Sequence, residues 1–105
     1  MYCLLIKWDY EYDKEGTWFD TDSGEERYEL LDGADYPLPH IKKNLTVRSV
    51  THGSDTVKAE LYADHQTATV CSGSDPVILH VSDSYSVCGD SVHQSLSLKI
   101  TVEKQ

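Results

Sequence analysis

The stretch Thr51-His52-Gly53-Ser54-Asp55-Thr56-Val57-Lys58-Ala59-Glu60-Leu61-Tyr62-Ala63 reads as a tight turn followed by a half-buried strand. Val57, Ala59, Leu61 and Ala63 alternate with Thr56, Lys58, Glu60 and Tyr62, which is the period of an extended chain with one apolar face. The turn recurs as Cys71-Ser72-Gly73-Ser74-Asp75-Pro76-Val77 and again as Cys88-Gly89-Asp90-Ser91-Val92. Each copy follows a short alternating run and leads towards another, so the unit is strand, turn, strand. The chain therefore reads as all-β.

Working outward, residues 45–51 and 67–71 are further strands. Val77, Leu79 and Val81 alternate with Ile78 and His80, and Asp83-Ser84 is expected to turn the chain into residues 85–88. In the last strand Leu96, Leu98, Ile100 and Val102 face inward, with Ser97, Lys99 and Thr101 outward. At the other terminus Tyr2, Leu4, Ile6, Trp8, Tyr10 and Tyr12 share one face of a long strand, which is expected at a sheet edge. Residues 13–26 read as an irregular, turn-rich loop, 27–31 as a short strand, and Tyr36-Pro37-Leu38-Pro39 as loop or edge because proline cannot donate to a ladder. No window has a 3.6-residue period; at most a single helical turn is expected, in 13–26 or 32–44. The expectation is a single-domain antiparallel β-sandwich spanning residues 1–105, of about seven to nine strands, with a meander over residues 45–103. A closed barrel is the alternative, since strand patterns do not separate the two. The predicted core is Leu4, Ile6, Trp8, Val57, Leu61, Val70, Val77, Leu79, Val81, Leu96, Leu98 and Ile100.

Charge divides the chain unevenly. Of its net −9, residues 1–36 hold −8 (11 acids against 3 bases), and eight of the ten aromatic side chains lie in the same third. With no basic stripe, direct binding to a phosphate backbone is not expected. No apolar run is long enough to span a bilayer, so no membrane contact is expected either. The N-terminal residues lack a basic segment and a cleavage site, and three cysteines is an odd number for a disulfide framework. Free thiols in the cytoplasm are the expectation.

Two kinds of site compete. The acidic, aromatic N-terminal third is a candidate interaction surface of a non-catalytic module, with Tyr10, Tyr12, Trp18 and Phe19 at its centre. Trp18 and Phe19 are adjacent, so in an extended chain they cannot both point inward. The partner is another protein or a second copy in a homodimer; an acidic imitation of DNA, bound by a nucleic-acid-binding protein, is a special case. The competing reading is a metal- or thiol-dependent site. If hairpins reverse direction regularly, the turns at 52–55, 72–76 and 89–94 share one end, gathering His52, Cys71, Cys88 and His93 as nitrogen and sulfur ligands for zinc. Against it, there is no Cys-x-x-Cys pair, and cysteines at strand ends are usually just small buried groups. Asp20-Thr21-Asp22-Ser23-Gly24-Glu25-Glu26 fails as a helix–loop–helix calcium loop, because glycine falls one position early and no acid stands at the twelfth. No nucleophile elbow, phosphate loop or His-Glu-x-x-His helix is present, so the chain reads as non-enzymatic, with no cofactor expected beyond that zinc.

Overall fold

The computed structural model describes all 105 residues. Eight strands and no helix form two four-stranded sheets: β1 (Tyr2–Lys14), β2 (Trp18–Glu29), β3 (Asp35–Pro37), β4 (Asn44–His52), β5 (Val57–Ala63), β6 (Gln66–Cys71), β7 (Val77–Val87) and β8 (Asp90–Lys104). The first sheet has the order β2-β1-β8-β7 and the second β3-β4-β5-β6, with antiparallel pairing throughout. It is an open sandwich, not a barrel. The apolar residues of both inner faces meet in one core, in which Leu4, Leu45, Leu61, Leu98 and Ile100 lose all or nearly all contact with solvent. Every residue of the predicted core is buried except Val77, which packs half-buried at the margin. The outer face is less purely polar than the alternation implies. Cys3 and Leu5 are buried there too, Cys3 beneath the Arg27 guanidinium at 3.9 Å.

Three expectations are corrected. The segment 13–26 is mostly strand: Glu15 and Gly16 take positive φ (47° and 71°) in a tight turn, and β2 then runs beside β1 for its full length. The poor strand formers of β2 can extend because β1 offers a complete row of backbone partners, and because Gly24 leaves room for a neighbour. The Trp8 indole lies so close beneath Gly24 that an added Cβ would stand 2.5 Å from it. Asp83-Ser84 is not a turn either. β7 continues through it and reverses only at Cys88-Gly89, with φ of 51° and 84°. Finally, β1 is central, between β2 and β8, so the edges of its sheet are β2 and β7.

Those longer strands shape the molecule. β1, β2, β7 and β8 run 11 to 15 residues, against at most 9 in the second sheet, and the whole measures 55 × 20 × 17 Å. The second sheet ends where the β3–β4 connection and the Asp64-His65 turn meet the first sheet. Lys43 there donates to the Asp64 carboxylate (2.7 Å) and to the Ser82 carbonyl (2.6 Å). Beyond this line the hairpins β1–β2 and β7–β8 continue together as a single-layered four-stranded arm.

Candidate functional site

On β1 the even-numbered residues face the second sheet, and the strand registers carry that face outward along the arm. Tyr10 lies opposite Asp22 and Leu96, Tyr12 opposite Asp20 and Gln94, and Lys14 opposite Trp18 and Val92. Asp83 and Tyr85 complete the last two rows on β7. The arm's inner face thus continues the face that forms the core, but nothing of the second sheet lies over it. Trp18 remains 63% exposed and Tyr85 41%. Only the β3–β4 connection reaches back over its base. Leu38 and Ile41 of that loop anchor in the core, and between them His40, at a φ of 64°, projects onto the arm. The imidazole stacks on Tyr10 (centroids 4.3 Å apart, 18° between planes), meets Trp8 edge-on and bonds the Asp22 carboxylate through Nε2 at 2.7 Å. Between His40 and the arm opens a cleft of about 270 Å³ floored by Tyr10 and Tyr12 and flanked by Trp18, Asp20 and Asp22.

Its electrostatics are acidic and only partly neutralised. Asp20 and Asp22 each accept the backbone N–H of the following residue at 2.9 Å, which fixes both carboxylates at the free edge of β2. The His40 hydrogen bond, reinforced by that of Ser23, holds the Asp22 carboxyl below its ordinary range. Burial pushes the Tyr10 phenol up, opposed by the amide that Gln94 donates to it. Lys14, the cation on the arm's inner face, is engaged by Asp90 at 3.6 Å. What remains is a set of aromatic faces beside carboxylate oxygens. That combination suits cations carrying N–H donors, not anions.

Of the residues singled out from sequence, Tyr10, Tyr12 and Trp18 come together at this cleft. Phe19 occupies the opposite face of the arm, 64% exposed, in register with Asp13. The proposed metal ligands are not brought together. His52 and Cys71 lie on β4 and β6 at the end away from the arm, Cys88 at the arm's tip, and His93 on the arm's outer face. The cause is the missing turn at 83–84, which sends Cys88 to the opposite end. All three cysteines are free, and no group of three or more His, Cys, Asp or Glu side chains is placed to share a metal ion. His93 does bond the Ser84 hydroxyl at 2.9 Å, with Asp13 next in the row. Asp13, however, accepts from the Gly16 N–H, and no hydrogen-bonded triad forms.

Sequence reasoning missed Asp20, Asp22 and His40. The spacing of the two aspartates matches that of Tyr10 and Tyr12, a signal that becomes legible only once residues 18–29 are read as a strand. Nothing in the sequence places His40. Comparison with protein-family models, curated proteins and solved structures gives no match.

Proposed function

We infer that the protein is a non-catalytic interaction module that docks a basic segment of another protein on the inner face of its arm. The observation carrying this reading is the uncovered continuation of the core face. A strand face that buries Leu4 and Ile6 in the sandwich goes on to a half-buried Tyr12 and then presents Trp18, Tyr85 and Val87 to solvent among Asp20, Asp22 and Asp83. Exposed aromatic side chains within a polar rim are a common feature of protein-binding surfaces. The sign of the charge selects the partner: the first 36 residues carry −8, which attracts a basic chain and opposes a second copy.

Fluorescence anisotropy with a lysine-rich unstructured peptide, against a glutamate-rich peptide of equal length, tests the reading. The basic peptide binds at low salt, weakens as salt rises and is lost in a Trp18→Ser/Tyr85→Ser double variant. Failure to bind at low salt, or binding indifferent to that variant, overturns it. A dimer mass by light scattering that reverts to monomer in the same variant would instead assign the face to a second copy.

A further inference from the structure

The arm repeats one small structure twice, and only one copy is filled. Tyr10 stands directly opposite Asp22 across β1 and β2, and Tyr12 stands directly opposite Asp20. The two tyrosine–aspartate pairs lie on the same face, two residues or about 7 Å apart along the strands. The carboxylates adopt the same posture, Oδ1 on the N–H of the next residue at 2.9 Å in both. In the first pair the chain supplies its own occupant. The His40 ring lies flat on Tyr10 at 4.3 Å and bonds Oδ2 of Asp22 at 2.7 Å. This shows what the pair accepts: a flat, nitrogen-bearing group that stacks on the phenol ring and points an N–H at the carboxylate.

In the second pair Tyr12 has no ring stacked on it, and Oδ2 of Asp20 has no protein partner. The nearby cations are occupied or displaced, Lys14 being held by Asp90 and Lys42 lying beyond His40 on the β7 side of the cleft. Trp18 walls the seat. Three flat or cationic nitrogen groups could match it. Neutral imidazole brings one N–H donor and ammonium is not planar. Guanidinium is planar, always charged and carries its donors in a fork that fits a carboxylate. The chain already uses that stacking elsewhere, with the Arg48 guanidinium 4.1 Å above the centre of the Tyr62 ring.

We propose that the Tyr12–Asp20 pair is the seat of an arginine side chain of the basic partner, the guanidinium stacked on Tyr12 beside Trp18 and donating to Oδ2 of Asp20. This rests on the interaction-module reading and names the residue that reading requires at its centre.

The test uses three amidated peptides of the same length: Gly-Arg repeats, Gly-Lys repeats, and Gly-citrulline repeats, in which the planar shape is kept and the charge removed. Binding is followed by the fluorescence of the exposed Trp18. The arginine peptide binds several-fold more tightly than the lysine peptide, and the citrulline peptide does not bind. Tyr12→Leu weakens the arginine peptide by about two- to thirtyfold, the span from an exposed to a desolvated cation–aromatic contact. Asp20→Asn, which removes the charge from the guanidinium's acceptor, weakens it by about threefold or more. Asp55→Asn, which removes the same charge at the far end of the sandwich, changes binding by less than about twofold. Circular dichroism and thermal melts establish that the variants are folded. Equal affinity for arginine and lysine peptides, or equal effects of Asp20→Asn and Asp55→Asn, overturns the arginine seat while leaving a basic partner in place. Absence of binding by either cationic peptide at low salt overturns both.

Discussion

The same four strands behave in opposite ways at their two ends. Towards the N-terminus of β1 the inward row is Leu4, Ile6 and Trp8, faced across the sandwich by Leu45, Val57 and Leu61, and all are buried. Beyond Tyr10 the alternation continues without a break, yet the inward residues become Tyr12 and Lys14 on β1, Gln94 and Val92 on β8, and Asp20 and Trp18 on β2, of which Val92 alone is fully buried. Period-two alternation states that a strand has two faces. What covers a face is stated by the chemistry of the residues on it. Aliphatic side chains require cover, whereas tyrosine, tryptophan, lysine and glutamine can keep a polar end in water over an apolar body. The arm's inner face is mostly of the second kind, and its one buried aliphatic side chain, Val92, lies in the row of Trp18, Lys14 and Tyr85.

The largest expected difference between the two regions is in stability. Leu98 is fully buried at the centre of β8, and Leu98→Ala should cost about 2–5 kcal/mol in a denaturant melt, from lost transfer energy and the cavity left behind. Trp18→Ser, on the arm, should change stability by less than about 0.5 kcal/mol despite removing a larger side chain. Comparable losses would mean that the arm is packed against something, and the contrast between the two regions would fail.

Gly24 marks the boundary between them and should give the next largest effect. Its absent Cβ is replaced by the Trp8 indole, whose ring carbons would lie 2.5 and 2.8 Å from a methyl group there. The indole is enclosed, with its N–H unpaired, so it cannot swing away cheaply. Gly24→Ala should therefore destabilise by about 1–3 kcal/mol, the usual range for overpacking. The change should also shift the Trp8 near-ultraviolet signal. A neutral result would show that β2 can lift from β1 at this point.

These two sites also show what was legible in the sequence. The core was, because Leu98, Ile100, Val57 and Leu61 sit in runs where apolar residues fall at every second position and nothing competes with the strand reading. β2 was not. Asp20, Thr21, Asp22, Ser23 and Gly24 are weak strand formers locally, and they extend only because β1 presents them with a partner along its whole length, a tertiary cause outside the segment. The Asp83-Ser84 pair misled for a local reason, since those residue types favour turns. The corrective signal was present, because Val77, Leu79, Val81, Asp83, Tyr85 and Val87 keep one unbroken period. Missing it placed Cys88 at the wrong end and assembled a zinc site from residues the fold holds apart. For the cleft, the aromatic half was visible as a cluster on one strand. The acidic half depended on register, and His40 on how a loop folds back.

Both regions end in exposed strand edges, and they protect them differently. Along the sandwich, the β7 edge is closed by side chains of the second sheet: Gln66 both donates to the His80 carbonyl (2.6 Å) and accepts its N–H (3.1 Å), and Asp64 accepts the Ser82 N–H (3.0 Å). On the arm, the aspartates of β2 occupy the edge N–H groups of Thr21 and Ser23 from within the strand, and Asp83 does the same for Ser84. Asp20→Ala/Asp22→Ala removes both the charge and the caps from β2. The expected outcome is a monomer that becomes concentration-dependent in mass by light scattering, through edge-to-edge pairing. A strictly monomeric double variant would show that twist or the flanking glutamates suffice.

The smallest expected effect separates the two latches that tie the regions together. Lys43 holds the Asp64 carboxyl below its ordinary range, and His40 does the same for Asp22. A carboxylate more acidic in the folded than the unfolded chain adds stability above its unfolded value, and the contribution is lost as pH falls through the lower folded value. Both contributions are therefore present at neutral pH and fade below about pH 4. Asp64 is the better enclosed of the two, its side chain 16% exposed against 54% for Asp22. Solvent screens the exposed pair, so the two losses should be unequal. Asp64→Asn should lower the melting temperature at neutral pH and flatten its decline in acid, while Asp22→Asn should leave both close to wild type. If Asp22→Asn has the larger effect, the base of the arm is held by His40 more firmly than the sandwich edge is held by Lys43, and the arm is no longer the looser of the two regions.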